Sequence, residues 1–345
     1  MNVLVCGAVS ALGERVLRDE LAPPPYHLEF TDDTDPLRAE RLARCEAVLV
    51  DQAPLTEADF ARMTRLRLVQ RLGRGQFDIS GELAAARARG VPVAHNRSGF
   101  AARATAEHTV MVILALLRQL PDADAFVRSG QWREAGGSHR FDAATRQLDG
   151  ASVALVGMGR VGRATARLLA AFGAEVAYWS RTRLAPGEER DLAAVHRPLD
   201  ELLAAADVVS LHIRPDPAAP FVFDTRLFGL MRPGGYFVNT SRGTLVDEHA
   251  LAGALRAGHL AGAALDVFTT EPPGPSSPLD GSPHLLLTPH IAGRTREVAE
   301  MYFRSACANI HRLRAGHPLR DLVDPVAPVR PGAPAGRART AQGGF

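Results

Sequence analysis

Lysine is absent. All 40 basic residues of this 345-residue chain are arginine, set against 38 acidic residues for a formal net charge of +2. That absence excludes a Schiff-base lysine, a P-loop lysine and a Ser-Lys dyad. Any positive charge that binds a substrate is therefore a guanidinium, which is planar, forked and always charged. Cysteine is scarce too: Cys6, Cys45 and Cys307 are far apart and never form a CxxC pair. The pattern argues against a disulfide framework or a zinc ribbon and fits a reducing cytoplasm. No metal site is expected. The longest hydrophobic run, Val110 to Leu117, is far short of a membrane span. The stretch from Val3 to Gly13 lacks a basic n-region and a small-residue cleavage site, so it reads as a first β-strand rather than a signal segment. The near balance of charge supports neither a nucleic-acid nor a membrane partner.

What is present is the composition of a globular protein, 46% apolar and 23% charged, at a length that suits two domains. Short Val/Leu-rich runs alternate with Ala/Leu/Arg segments at helical spacing, the pattern of parallel sheets with helices on both faces. Strands are expected near 2–6, 27–30, 46–50, 67–71 and 91–94, then near 152–157, 175–179, 207–212, 235–239, 262–266 and 284–288. One long apolar helix over 103–120 and a Gly-rich polar segment from Ser129 to Gly150 separate the two series. Ala292 to Leu313 reads as a last helix. The Pro-rich end, 326–345, reads as a disordered tail.

Gly157-Met158-Gly159-Arg160-Val161-Gly162 is a GxGxxG directly after an apolar strand and directly before an amphipathic helix. In that setting each glycine has a task. Gly157 permits the tight turn, Gly159 lets a pyrophosphate approach the backbone, and Gly162 lets helix pack on strand. The helix N-terminus supplies N–H groups and a positive dipole end. Gly7 to Gly13 has the wrong spacing and reads as an ordinary turn. The next strand ends Trp179-Ser180-Arg181-Thr182, without the acid that binds the ribose hydroxyls of NAD. Ser180 and Arg181 suit a 2′-phosphate, which predicts NADP(H) as the preferred cofactor with NAD(H) possible. The alternative is an Arg181 that is solvated or stacks on adenine, leaving dual use.

Three later segments place polar residues just past apolar strands, where ligands of open α/β sheets bind. They are Asn239-Thr240-Ser241-Arg242-Gly243, Asp266-Val267-Phe268-Thr269-Thr270-Glu271-Pro272 and Thr288-Pro289-His290-Ile291-Ala292-Gly293. With these motifs, with LVGMGRVG, and with Glu107 and Trp132, the chain resembles the D-isomer-specific 2-hydroxyacid dehydrogenase family from its first strand to about Asp324. The stretch Trp179-Ser180-Arg181 is similar to the glyoxylate and hydroxypyruvate reductase branch.

The resemblance implies two doubly wound parallel-sheet α/β domains with a cleft between them. A flavodoxin-like substrate domain would take 1–98 plus 292–325, and a Rossmann cofactor domain 99–291. It implies a cytoplasmic homodimer acting on a small anionic 2-oxoacid. Arg242 would bind the substrate carboxylate and polarise the carbonyl. His290 would be the acid/base, Glu271 its carboxylate partner, and Asp266 a contact on the nicotinamide side. In the first domain, backbone amides of Arg74 and Gly75 would hold the substrate carboxylate.

Two departures from the family pattern concern the ligands. Arg74 stands where the family has a small or apolar residue; either its side chain enters the cleft and meets a second anionic group on the substrate, or it points to solvent and only its backbone matters. His212-Ile213-Arg214-Pro215 replaces His-x-Pro in a loop that borders the cofactor. The family also holds two other readings: oxidation of a phosphorus oxyanion or phosphonate-bearing substrate, and a non-catalytic corepressor that binds the dinucleotide for assembly. For the cofactor, Arg181→Ala is expected to lower the ratio of kcat/KM for NADPH over NADH; an unchanged ratio would refute the assignment.

Overall fold

The computed structural model describes residues 1–323 apart from 52–54, 73–78, 97–98, 134–136, 217 and 219–220. Arg74, Gly75 and the tail 326–345 therefore lie outside the described residues. The chain forms two compact units, one of Met1–Phe100 with Arg296 onward and one of Ala101–Thr295.

In the first unit strands and helices alternate: β1 (Asn2–Cys6), α1 (Ala11–Leu21), β2 (His27–Thr31), α2 (Arg38–Arg44), β3 (Ala47–Val50), α3 (Glu57–Arg62), β4 (Leu68–Arg71), α4 (Ser80–Ala88) and β5 (Val93–His95). All pairings are parallel, in the order β2-β1-β3-β4-β5. That is the flavodoxin-like order. The apolar runs expected as strands are buried on both faces, as a parallel sheet covered by helices requires: β3 and β4 are buried along their whole length. Helix starts follow capping chemistry. Ser10 accepts from the Gly13 N–H, and Thr56 with Asp59 closes a reciprocal capping box on α3.

The second unit opens with α5 (Ala102–Leu117) and α6 (Leu120–Arg128). The helix expected over 103–120 is α5, which stops at Leu117, and α6 is a further helix that the apolar pattern did not announce. Gln119 takes a left-handed φ of 48°, and Pro121 lies in the first turn of α6, where its missing N–H costs nothing. The α/β series follows: β6 (Ser152–Val156), α7 (Arg160–Ala171), β7 (Glu175–Trp179), α8 (Pro186–Asp191), β8 (Ala194–His196), α9 (Leu199–Ala205), β9 (Val208–Leu211), α10 (Thr225–Leu230), β10 (Gly235–Asn239), α11 (Glu248–Arg256), β11 (Leu260–Leu265) and β12 (Leu285–Leu287). The sheet is parallel, ordered β12-β11-β10-β9-β6-β7-β8. This is the Rossmann order with a seventh strand added, and its switch point lies between β6 and β9. The short β8 and the helix before it had no strong periodic signal, and both escaped the sequence reading.

The last helix is α12 (Arg296–Ala315), which returns to the first unit. It begins after Ala292, the start expected from sequence, because the chain there is held in a turn. Its Phe303 ring sits where a Cβ on Gly13 would be, 2.2 Å away. The glycine of the ill-spaced Gly7–Gly13 turn thus serves helix packing, not phosphate binding. No helix among the described residues is long and apolar enough to cross a membrane.

Beneath β9 and β10, Phe223, Phe228 and Phe237 are almost fully buried, with ring centroids 4.6 to 5.0 Å apart. Phe237→Ala is expected to lower the unfolding free energy of this unit by about 3–5 kcal/mol. Denaturant unfolding checks it, and a loss below about 1 kcal/mol would mean that the trio does not support the sheet.

Candidate active site

The Gly-rich turn stands at the carboxyl end of β6, beside the switch point. Gly157 has φ of +108°, and a Cβ there would lie 2.5 Å from the His212 carbonyl oxygen. Any other residue would force β6 and β9 apart. A Cβ on Gly162 would lie 2.2 Å from the Gly157 carbonyl oxygen, so this glycine sets how closely α7 packs. At Gly159, which caps α7, a Cβ would point into open space. That opening is what a pyrophosphate needs to reach the helix N–H groups.

A cavity of about 620 Å³ adjoins this turn. Its walls are Gly157–Gly159, residues 179–184 past β7, and residues 212–214 with Asp216 and Phe221 past β9. Trp179 and Phe221 stack across it at 6.1 Å. Burial pushes the His212 imidazole down to about 4, so it is neutral at pH 7, and its Nε2 lies 3.0 Å from the Ser210 hydroxyl. The sequence-expected cofactor residues gather here. Gly157, Met158, Gly159, Ser180, Arg181, Thr182 and His212 line the cavity, and Arg160, Val161 and Gly162 form the first turn of α7. The glycine cradle, the helix end and the aromatic pair fit a dinucleotide.

Arg242, Glu271 and His290 converge past the ends of β10, β11 and β12. The His290 Nδ1 lies 2.7 Å from a Glu271 carboxylate oxygen, and the other oxygen accepts the Phe268 N–H at 3.1 Å. Burial raises the Glu271 carboxyl. The His290 hydrogen bond, the Phe268 N–H and the charges of His290 and Arg242 outweigh it and hold the group below the usual carboxylate range. The His290 Nε2 accepts or donates no hydrogen bond among the described residues.

Arg242 is half-buried, and one guanidinium nitrogen donates to the Ser241 carbonyl at 2.6 Å. Burial first, then the neighbouring Arg214 charge, pushes it below the usual arginine range, with Glu271 opposing. The buried Asn239 shapes its loop by donating to the Arg242 carbonyl and accepting from the Ser241 N–H. Among the described residues no carboxylate lies within ion-pair distance of Arg242, which leaves the cation for an incoming anion.

Two positions have roles that the sequence reading had not given them. Gly243 follows Arg242, and a Cβ there would lie 1.9 Å from the Phe268 carbonyl carbon. Only glycine lets the Arg242 loop press against the backbone that leads to Glu271. Asp266, expected as a nicotinamide contact, is 2% exposed and engaged within the protein. Its carboxylate accepts the Thr288 hydroxyl at 2.6 Å and the N–H groups of Ile291 and Ala292 at 2.8 Å. Its carbonyl accepts the His290 N–H at 2.8 Å. His290 is held in a left-handed conformation, φ 52°, by this latch. His108 of α5 supports it from behind, with Nε2 3.2 Å from the Thr288 hydroxyl.

Known proteins resemble this chain over most of its length. The family model "D-isomer specific 2-hydroxyacid dehydrogenase, NAD binding domain" matches residues 110–292. A glyoxylate reductase of Aeropyrum pernix is 35% identical over 89% of this chain and 88% of its own. A D-3-phosphoglycerate dehydrogenase of Mycobacterium tuberculosis is 33% identical over 93% of this chain but only 57% of its own. Among solved structures, one from Thermus thermophilus is 31% identical at a TM-score of 0.76, covering 94% of this chain and all of that one. A D-lactate dehydrogenase of Treponema pallidum, 22% identical at a TM-score of 0.80, covers 94% of this chain and all of its own and shows the shared fold.

The depressed Glu271 carboxyl has a consequence for stability. A carboxylate whose folded pKa lies below its unfolded value stabilises the fold above the unfolded value and stops doing so as pH falls through the folded one. Glu271→Gln is therefore expected to lower Tm at pH 6 and to differ little from the parent near pH 3. An equal gap at both pH values would show that the pair adds nothing through charge.

Proposed function

The chain belongs to the D-isomer specific 2-hydroxyacid dehydrogenase family, and from that we propose that it reduces a small 2-oxoacid to the D-2-hydroxyacid with NAD(P)H, preferring NADPH. The observation that carries this reading is the His290–Glu271 pair at 2.7 Å beside an Arg242 that has no acidic partner within ion-pair distance among the described residues. When bound, the dinucleotide supplies hydride to the carbonyl carbon. Arg242 binds the substrate carboxylate with its forked N–H groups and draws electron density from the carbonyl. His290 gives the Nε2 proton to the carbonyl oxygen as the carbon is reduced. Glu271 holds Nδ1–H, orients the ring and stabilises the imidazolium that precedes transfer. In the reverse direction the same nitrogen takes the hydroxyl proton.

The relatives named glyoxylate reductase support glyoxylate as the first substrate to test. The lack of an acid at the end of β7, with Ser180 and Arg181 in its place, supports the NADPH preference. Three buried free thiols, each pushed up to about 12 by burial, suit the cytoplasm.

A turnover assay with NADPH and a panel of 2-oxoacids tests the reading. His290→Asn and Arg242→Ala are each expected to lower kcat/KM by about 10²–10⁴, with NADPH still bound. Cofactor that binds the parent protein but is never consumed with any member of the panel would sink the enzyme reading in favour of a binding role.

A further inference from the structure

The end of β7 lacks the acid that usually meets the adenosine ribose, yet the wall of the cavity is not without one. Asp216, 35 residues further on in the loop past β9, reaches the same place. One of its carboxylate oxygens lies 2.6 Å from an Arg181 guanidinium nitrogen, and the other accepts the Ala218 N–H at 3.1 Å. The carboxylate is therefore oriented from its own loop before any ligand arrives. Two other arginines of this wall are paired as well, Arg163 with Glu188 at 3.1 Å and Arg183 with Glu189 at 2.9 Å. Glu189 takes two of the Arg183 nitrogens and the Tyr178 hydroxyl. Asp216 holds Arg181 through a single guanidinium nitrogen, in a pair whose side chains are 69% and 35% exposed. Solvent reaches both partners of this pair, so an incoming anion can compete for Arg181.

We propose that Asp216 is a selectivity residue for the dinucleotide, occupying the Arg181 guanidinium that a 2′-phosphate would use and so keeping both NADPH and NADH usable. A 2′-phosphate carries about −1.5 to −2 charges at pH 7 and must displace the carboxylate or share the guanidinium beside it. Either way Asp216 weakens the contact by competition and like-charge repulsion. A 2′-hydroxyl meets neither penalty. The acid thus acts on one cofactor and not the other, which is what sets a ratio.

The assignment rests on the proposed dinucleotide reading, and a binding experiment separates the two. NADPH and NADH are titrated by fluorescence against the parent protein, Asp216→Asn, Arg181→Ala and the double variant. Asparagine keeps an acceptor for the Ala218 N–H and removes only the charge. Asp216→Asn is expected to tighten NADPH by about three- to tenfold, the scale of one exposed charge beside a bound phosphate, and to move NADH by less than about twofold. In the Arg181→Ala background the same change is expected to move NADPH by less than about twofold, because the contested cation is gone. Equal shifts for both cofactors, no shift for NADPH, or a full shift without Arg181 would each overturn the assignment. Failure of the parent protein to bind either dinucleotide would overturn the reading beneath it as well.

Discussion

The Asp266 carboxylate, buried at the end of β11, meets three donors from one turn: the Thr288 hydroxyl and the amides of Ile291 and Ala292. Hydrogen bonds to an ionised acceptor in a buried site are among the stronger ones a protein makes, and leaving any of these groups unpaired would be costly. The turn is therefore tied to the sheet rather than free to continue as helix. That tie puts His290 in a left-handed conformation, aims its Nδ1 at Glu271 and delays the start of α12 to Arg296. The geometry of the His290–Glu271 pair is thus a consequence of an acid at the end of the neighbouring strand, whose carboxylate bonds the turn and not the imidazole.

The second constraint is space. Gly243 and Gly157 are places where backbone meets backbone, against Phe268 and His212 respectively. The first brings the Arg242 loop onto the segment that leads to Glu271. The second brings the phosphate-binding turn against the end of β9. Both contacts lie at the carboxyl edge of the same parallel sheet, where strand ends from distant parts of the chain are neighbours by topology. Electrostatics then completes the site. With no lysine available, each cationic task falls to a guanidinium, and the arginines differ in what already holds them. Arg183 is clamped by Glu189, Arg181 is shared with Asp216, and Arg242 has, among the described residues, a backbone carbonyl and no carboxylate within ion-pair distance. This gradation separates structural cations from those that can meet a ligand.

Much of this was legible in the sequence, because the relevant physics is local. Alternation of buried strands and amphipathic helices identifies a parallel α/β fold, and the spacing of Gly157, Gly159 and Gly162 states which backbone atoms must approach each other within a single βα turn. The end of α5 near Gln119 is marked by Pro121 and by the close of the apolar run at Leu117, whereas the mixed polar sequence of α6, 120–128, shows no run that sets it apart from a loop. The strand Ala194–His196 is too short for any period to show.

The partners of the site were another matter. That Asp266 serves the His290 turn, that His108 backs it, and that Asp216 restores a carboxylate to a strand end lacking one all depend on which strand ends lie side by side. The sequence by itself determined the fold class, the dinucleotide fingerprint and the three motifs that carry Arg242, Glu271 and His290, since each is written in a contiguous stretch. Only the tertiary structure decided what holds those residues in place and which arginines are already paired. Hydrogen bonds and ion pairs act over a few ångströms in space and are blind to distance along the chain.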